Sequence, residues 1–409
     1  MYLDEVLAAQ KRGEARGITS VCSAHPFVLK QTLKVFERPL IEATCNQVNQ
    51  YGGYTGMAPA DFVAYVRGIA AEINFPFGNI ILGGDHLGPN VWQEEPAEPA
   101  MQKAEVMIRD YVQAGFTKIH LDCSMNLADD PFGPLNVKIV AERAARLAKV
   151  AEISGNKKVR YVIGTEVPTP GGATSHEERV DVTKVQDVRQ TIEVTRDAFY
   201  REGLQSAWER VIAVVVQPGV EFGDDFVLPY QSGGARELSQ FIQNQPLMYE
   251  AHSTDYQTRD ALKNLVRDHF GILKVGPALT FAFREAIFAL AMVEAELFPE
   301  DQRSNIVRVL DDVMVEYPEH WKKYHQGDAE QQAFKRKFSL SDRIRYYWGQ
   351  PDVNRALTQL MNNLGNQPLP DTLSRQFAGK TGLTAIQVIQ SKINSVLDNY
   401  LCAEQRCGD

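Results

Sequence analysis

Short apolar, β-branched runs alternate with helical patterns along roughly the first 280 residues of the chain. Continuous apolar runs are typical of strands that are covered on both faces, and helices between them indicate parallel crossovers. We count eight such runs, at 18–24, 39–45, 79–84, 118–124, 160–166, 210–217, 247–252 and 271–276. Eight strand and helix units predict an α/β fold of the (β/α)8 TIM barrel type, because an open doubly wound sheet usually stops at five or six strands.

The pattern changes after residue 280, where apolar residues repeat at helical spacing. The segments with this spacing are FAFREAIFALAMVEAELF, SNIVRVLDDVMVEY and AIQVIQSKINSVLDNYLCAE. We therefore expect a TIM barrel over residues 1–285 and a helical C-terminal extension, 286–409, packed on the barrel. A glycine-rich stretch at 169–181 follows the fifth predicted strand, and we expect it to form a flap over a site.

Composition excludes several classes of protein. The chain has 43 Lys and Arg against 52 Asp and Glu, a net charge of -9, which argues against a nucleic-acid partner. No run of about 18 apolar residues is present, so we expect no membrane span. The first residues lack the pattern of a secretory signal, and Cys22, Cys45 and Cys123 lie in apolar runs without a CxxC pair. We expect a cytoplasmic protein without a disulfide framework.

Polar residues follow the apolar runs, at the end where barrel enzymes carry their reacting groups. A buried polar side chain without a partner costs about 1 to 3 kcal/mol, so packing alone does not explain their convergence on one face. Each one taken singly could instead be a satisfied core group. The candidates for substrate contact are His25, Glu42, Asn46, Gln47, His120, Gln217, Ser253, Asp255 and Lys274.

Three of the polar strand ends suggest a divalent cation. His86, Glu166 and His252 belong to the third, fifth and seventh predicted strands, whose inward side chains can meet in one layer near the barrel axis. Such a set of nitrogen and oxygen donors suits Zn, Mn, Co or Ni. His120 and Asp122, on the intervening strand, are candidates for a fourth ligand or for support of the ligands.

A phosphate site is suggested more weakly. The segments HSTD and KVGPA, which contain Ser253 and Lys274, would supply hydroxyls, a lysine and glycine backbone at the usual phosphate position of a barrel. The chain has no GxxxxGK[ST] loop, so we do not expect an ATP-using kinase.

The segment SLSDRIRYYW leaves two interpretations open. Its Arg343, Arg345, Tyr346 and Trp348 are of the types enriched in interfaces, so it is a candidate contact with a partner. The alternative is an amphipathic structural helix docked on the barrel.

Several motifs together resemble a known family. They are SVCSAHP, IEATCNQVNQYGGYTGM, ILGGDHLGPNVWQ, KIHLDCSM, YVIGTEVPTPGG, VVVQPGVEF, YEAHSTDYQT, LKVGPALTFAFREA and SDRIRYYW, spread over about residues 17–348. They resemble the non-catalytic subunit of class II D-tagatose-1,6-bisphosphate aldolase, of the galactitol and N-acetylgalactosamine pathways. The resemblance implies a barrel subunit that partners a separate catalytic zinc aldolase chain, raises its activity and stability, and has no aldolase activity alone.

The chain is also remotely similar to the catalytic class II aldolases. Asp85 and His86 match the pair that provides the proton carrier and a zinc ligand, and His252 matches another ligand. Glu166 stands where those enzymes have a second histidine, and Ser253 and Thr254 replace their glycine pair. These departures argue against ordinary bisphosphate binding and against aldolase chemistry without a partner.

Two functions follow from the resemblance. In the first, favoured because the resemblance spans most of the chain, the protein is the accessory subunit. In the second, it is a metal-dependent C4 epimerase of tagatose and fructose or their 6-phosphates, so that a ketose or ketose phosphate is the ligand. The second assigns catalytic roles to Asp85, Glu250 and Asp122. The sequence leaves the oligomeric state open, a homo-oligomer included.

Overall fold

A closed barrel of parallel strands forms the centre of the fold. The computed structural model describes residues 1–155, 158–164, 173 and 180–404. The eight barrel strands, which follow one another round the barrel in chain order, are β1 (Ile18–Val21), β2 (Leu40–Thr44), β3 (Ile81–Leu87), β4 (Lys118–Leu121), β5 (Arg160–Ile163), β6 (Val211–Val215), β9 (Met248–Ala251) and β10 (Phe270–Val275). Between β6 and β9, the strands β7 (Glu221–Phe222) and β8 (Val227–Leu228) form a short antiparallel hairpin. The TIM barrel expected from the eight apolar runs is confirmed.

Helices surround the barrel and continue beyond its last strand. Those up to the helix that follows β10 are α1 (Tyr2–Lys11), α2 (Pro26–Val35), α3 (Pro59–Glu72), α4 (Ala97–Ala114), α5 (Val137–Ser154), α6 (Val185–Arg201), α7 (Gln205–Trp208), α8 (Arg236–Gln243), α9 (Arg259–Arg267) and α10 (Pro277–Leu297). The helices of the extension are α11 (Ile306–Glu316), α12 (Ala329–Phe338), α13 (Pro351–Leu364), α14 (Asp371–Ala378) and α15 (Ala385–Glu404). Proline is the first residue of α2, α3, α10 and α13. The N–H of a first helical residue makes no hydrogen bond within the helix, so proline, which has no N–H, costs nothing there.

The barrel interior is apolar at one end and charged at the other. Leu3 and Val6 of α1 pack under the barrel against apolar side chains at the start of its strands, which include Ile18, Leu40, Ile81, Ile212 and Ile272. Above this apolar layer the interior becomes charged, and Glu42, Lys118 and Glu250 are fully buried there. The apolar end gives the fold its inner core, and the charged end positions the site.

The extension is helical, as expected, and α15 packs against α2, α9 and α10. Near the end of α15 the Glu404 carboxylate accepts a hydrogen bond from the backbone N–H of Thr19 in β1, at 2.5 Å. The Tyr400 hydroxyl donates to the carbonyl of Thr254 at 2.7 Å. These hydrogen bonds fasten the extension to the barrel. The domain boundary expected at residue 285 stays a prediction, and α10 runs unbroken across that position.

The SLSDRIRYYW segment lies inside the chain's own fold. Arg343 and Trp348 are buried, and Arg343–Tyr346 forms a 3-10 helix where a longer amphipathic helix was one of the two expectations. The structure does not support this segment as a contact with a partner, because these two side chains are covered by the barrel and its extension. The expected flap at 169–181 lies largely outside the described residues.

Two further expectations concern cysteines and membranes. The thiols of Cys22, Cys45 and Cys123 are free. Over the described ranges, no helix combines the length and the apolar character that crossing a bilayer demands.

Candidate metal centre at the barrel mouth

Four buried side chains converge at the carboxyl end of the barrel. Asp85, His86, His120 and His252 each place one potential ligand atom so that all four atoms lie within 4.8 Å of one another. Asp85 and His86 lie near the end of β3, His120 is in β4, and His252 follows β9 directly. Strands that are distant in sequence therefore bring one carboxylate and three imidazoles together.

The backbone is bent where it presents these side chains. The register between β3 and β4 shifts between Gly84 and Leu87, and His86 within that stretch has a positive φ of 50°. Ser253, directly after His252, has a φ of 52°. Left-handed backbone is uncommon outside glycine, and bulges at strand ends redirect side chains beside functional sites. Backbone irregularities thus occur at His86 and directly after His252.

Gly88 allows the end of β3 to approach β4 closely. A Cβ at this position would lie 1.7 Å from the carbonyl oxygen of Asp122, which no side chain can accommodate. The glycine therefore permits the contact that brings His86 to Asp122.

Asp122 holds the ring of His86. Its Oδ2 lies 2.9 Å from His86 Nδ1 and also accepts a hydrogen bond from Asn90 Nδ2, while its Oδ1 accepts from Ser124 Oγ at 2.6 Å. Burial alone would raise the pKa of Asp122, but the hydrogen bond and charge of His86 hold it well below its usual range. The carboxylate is then an acceptor, so Nδ1 of His86 donates and Nε2 is left facing the cluster.

Glu250 holds the ring of His252 in the same manner. His252 Nε2 lies 2.9 Å from Glu250 Oε1, which leaves Nδ1 for another partner. Burial, with the charge of Lys274, lowers the pKa of His252 well below its usual value, so the imidazole is neutral. A carboxylate on the far nitrogen of a histidine is the arrangement that orients metal-binding imidazoles.

His120 carries a buried ring nitrogen without a hydrogen-bond partner among the described residues. Its Nδ1 lies 3.1 Å from Asp85 Oδ1, and its Nε2 is the buried nitrogen in question. A buried polar atom of this kind is costly unless something binds it. The donors and their geometry fit a divalent cation of the Zn, Mn, Co or Ni type.

A network of buried charges lies beneath the cluster. Lys118 Nζ is 2.5 Å from Glu42 and 2.7 Å from Glu250, and none of the three side chains has exposed area. Burial alone would lower the pKa of Lys118, but Glu250 and Glu42 raise it, so the amine stays charged. Gly83 leaves room for Glu42, because a Cβ there would lie 2.6 Å from its carboxylate oxygen.

Lys274 joins this network to the cluster. Its Nζ forms an ion pair with Asp85 and lies 3.7 Å from Glu42 and 3.8 Å from Glu250. Burial alone would raise the pKa of Asp85, but the charges of His86 and Lys274 hold it well below its usual range. Both groups are therefore charged at neutral pH.

A cavity of about 110 Å³, open to solvent, lies above the cluster. Its wall combines strand ends with residues from other parts of the chain, namely Tyr54, Phe222 of β7, and Arg345 and Tyr346 of the extension.

The structure brings most of the residues expected at the site to this place. Those lining the cavity are Asn46, Gln47, Asp85, His86, His252, Ser253, Asp255 and Lys274. Those buried beside or beneath the cluster are Glu42, His120, Asp122 and Glu250. The catalytic, substrate-binding and metal-binding roles expected for them stay predictions.

Two expected site residues lie elsewhere. Gln217 Oε1 accepts the backbone N–H groups of Gly219 and Val220, in the turn after β6. The ring of His25 packs against Phe283, with centroids 4.1 Å apart, and burial lowers its pKa to about 3. Neither side chain is among those lining the cavity. Glu166 lies outside the described residues.

Sequence reasoning missed Lys118, Tyr54 and the part played by Arg345 and Tyr346. Lys118 had a usable signal, since Lys118 and His120 alternate in β4, Asp122 continues the alternation directly after it, and alternate residues of a strand point to the same face. For Arg345 the sequence carries no such signal. It lies 70 or more residues after the barrel strands, and no local pattern predicts that its side chain contacts their ends.

The fold and the cluster define an α/β-barrel protein with a buried histidine and carboxylate site suited to a divalent cation. The family model for "D-tagatose-1,6-bisphosphate aldolase subunit GatZ/KbaZ-like" proteins matches residues 3–405. The chain therefore belongs to the GatZ/KbaZ-like family, and the resemblance stated from its motifs is confirmed.

Individual relatives agree with this assignment. The D-tagatose-1,6-bisphosphate aldolase subunit GatZ of Salmonella paratyphi B is 54% identical over 97% of this chain and 98% of its own length. The protein of the same name from Salmonella typhimurium is also 54% identical, with the same coverage. A crystal structure described as a probable tagatose 6 phosphate kinase from Sinorhizobium meliloti is similar with a TM-score of 0.88 and 46% identity, over 95% of this chain and 100% of that one.

Proposed function

We propose that this chain is the accessory, non-catalytic subunit of a class II D-tagatose-1,6-bisphosphate aldolase. The observation that carries the proposal is the similarity to GatZ subunits at 54% identity over nearly the whole length of both chains. The proposed partner is the catalytic aldolase chain, and the proposed setting is galactitol or N-acetylgalactosamine breakdown. We place this role in the cytoplasm, consistent with free thiols at Cys22, Cys45 and Cys123.

The comparisons do not favour the alternative of a C4 epimerase. That mechanism gives Asp85 the task of moving a proton, and in this fold Asp85 Oδ1 contacts both Lys274 and His120. A proton carrier must reach the substrate within about 2.6 to 3.2 Å, directly or through one water. An oxygen already engaged by two neighbours suits a structural or ligating role better.

We further propose that the cluster binds a divalent cation. His86 and His252 would provide imidazole nitrogens, Asp85 and His120 lie within reach of the same point, and Glu166 is expected there from the sequence. The support is the set of four buried donors, the carboxylates that orient two of the rings, and the unpartnered Nε2 of His120. Such an ion would neutralise the buried donors and hold three barrel strands at a fixed separation.

The experiment for the subunit role is a direct test of complex formation. The purified chain is mixed with the catalytic class II tagatose-bisphosphate aldolase chain and analysed by size-exclusion chromatography with light scattering. The proposal predicts a species with the summed mass of both chains, and albumin in place of this chain should give none. Separate elution of the two chains at micromolar concentration, with or without Zn²⁺, would refute it.

A further inference from the structure

The extension contributes a charged side chain to the barrel pocket. Arg345 belongs to the 3-10 helix Arg343–Tyr346, and it lines the cavity together with His86, His252, Ser253 and Lys274 of the strand ends. The cavity wall is therefore incomplete without the extension.

Arg345 is held in place by its own segment. Its Nη1 donates to the carbonyl oxygens of Ser341 and Asp342, and its Nη2 donates to the Tyr346 hydroxyl at 2.9 Å. The guanidinium carbon lies 4.5 Å from the centre of the Tyr346 ring, which in turn stacks on His320 at 4.7 Å. The guanidinium is thus preorganised by neutral groups and an aromatic face.

Arg345 forms no direct ion pair in the part of the chain that the structure describes, although the charges of Asp342 and Asp255 lie near enough to interact with it. The nearest acidic residue in sequence, Asp342, is engaged by Arg284, with 3.0 Å between Oδ1 and Nε. Two more deeply buried arginines do pair directly with carboxylates, Arg143 with Asp130 at 2.6 Å and Arg336 with Asp311 at 2.7 Å. Arg345 is partly exposed in the cavity wall, so its guanidinium can form a charge-assisted pair with an anion from outside.

Lys274, the other strong cation of the cavity wall, is already neutralised. It forms an ion pair with Asp85 and lies within 4 Å of Glu42 and Glu250. The sequence suggested Lys274 for a phosphate group, but the carboxylates around it would repel one. Arg345 is the better candidate, since a guanidinium binds phosphate or carboxylate oxygens in pairs.

We propose that Arg345 binds the oxyanion group of a small ligand in the barrel pocket, so that the C-terminal extension is part of the ligand site. The ligand class is a polyhydroxylated chain with a terminal phosphate or carboxylate, its hydroxyls directed to the histidine cluster below. The cavity wall offers amide and hydroxyl groups to a polyhydroxylated chain, at Asn46, Gln47 and Ser253. This inference does not rest on the subunit role.

The test is calorimetric titration of the purified chain with four probes: fructose 6-phosphate, tagatose 6-phosphate, fructose and gluconate. We expect at least one phosphorylated or carboxylated probe to bind 10-fold or more tightly than fructose. Gluconate separates the two oxyanions, because tight gluconate binding with weak phosphate binding would assign the carboxylate class. Absence of binding by all of the charged probes, or equal affinity for fructose and its phosphate, would overturn the proposal.

Variants assign the effect to Arg345. Arg345→Gln should weaken binding of the charged probe by about 10- to 100-fold, the usual scale for a lost hydrogen bond between charged groups, and leave fructose binding unchanged. Arg343→Lys is the matched control, since Arg343 is in the same turn but is not among the residues lining the cavity. Should Arg345→Gln fail to fold, Arg345→Lys keeps the charge and should retain part of the affinity. Wild-type affinity in a folded Arg345→Gln variant would overturn the proposal.

Discussion

The carboxylate of Asp122 and the imidazole of His86 are joined by a hydrogen bond of 2.9 Å between Oδ2 and Nδ1. The bond fixes the tautomer of His86 and presents its Nε2 to the cluster. Because Asp122 also accepts from Asn90 and Ser124, its own position is fixed, and the ring cannot rotate freely. This pair links the end of β3 to the end of β4 at the proposed metal site.

The first prediction concerns metal content. The double variant His86→Ala with His252→Ala should lose tightly bound Zn²⁺, because Asp85 and His120 alone cannot hold the ion against water. The measurement is metal analysis by mass spectrometry after dialysis against Zn²⁺. His269→Asn is the control, since it removes an imidazole outside the cluster at a positive φ of 75° that asparagine tolerates. Equal metal content in the wild type and the double variant would refute the site.

The second prediction concerns the buried charges of the barrel. Lys118→Met should lower the free energy of unfolding by about 3 to 5 kcal/mol, because it leaves the carboxylates of Glu42 and Glu250 buried without their cation. Urea unfolding measures the loss. Lys149→Met, which breaks an exposed pair with Glu202, should cost less than about 1 kcal/mol. Similar losses in the two variants would contradict this account of the network.

The third prediction compares two glycines. Gly88→Ala should destabilise the protein and disturb the site, because its Cβ would overlap the carbonyl oxygen of Asp122. Gly68→Ala should instead stabilise by about 0.5 to 1 kcal/mol, since Gly68 is exposed in α3 and its Cβ would meet nothing within 4 Å. Thermal unfolding of both variants checks the opposite signs. A Gly88→Ala protein as stable as the wild type would show that β3 does not need this close approach.

The fourth prediction is a pH dependence at the junction of α15 and β1. Burial raises the pKa of Glu404 from its usual 4.5 to about 7, so between these values the folded state binds more protons than the unfolded state. Stability from this group is therefore present below pH 4.5 and is lost as the pH rises to about 7. Glu404→Gln should be close to wild type at pH 5 and more stable by roughly 1 to 3 kcal/mol at pH 8.

Unfolding at several pH values measures this difference. Glu296→Gln, an exposed carboxylate on α10, is the control for the loss of one negative charge. A Glu404→Gln difference that stays constant from pH 5 to pH 8 would contradict the burial of an ionisable group at this junction.

The barrel was predictable because its eight strands are continuous apolar runs, which local sequence reports directly. The hairpin β7 and β8 was not, since two residues per strand give no periodic signal. Asp85, His86 and His252 were predictable as polar ends of apolar strands. The contacts of Lys118 with Glu42 and Glu250, and the entry of Arg345 into the cavity, depend on barrel closure and on the path of the extension, which no local pattern contains.

The most direct test of the subunit role is the lifetime of aldolase activity in the catalytic partner chain. Tagatose-1,6-bisphosphate cleavage is followed during incubation at elevated temperature, with this chain or with albumin added. The account predicts a longer half-life and a higher initial rate with this chain, because a partner that binds the native state stabilises it by mass action. It also predicts that Asp85→Ala retains most of this effect. An unchanged half-life and rate with the wild-type chain at saturating concentration would contradict the account.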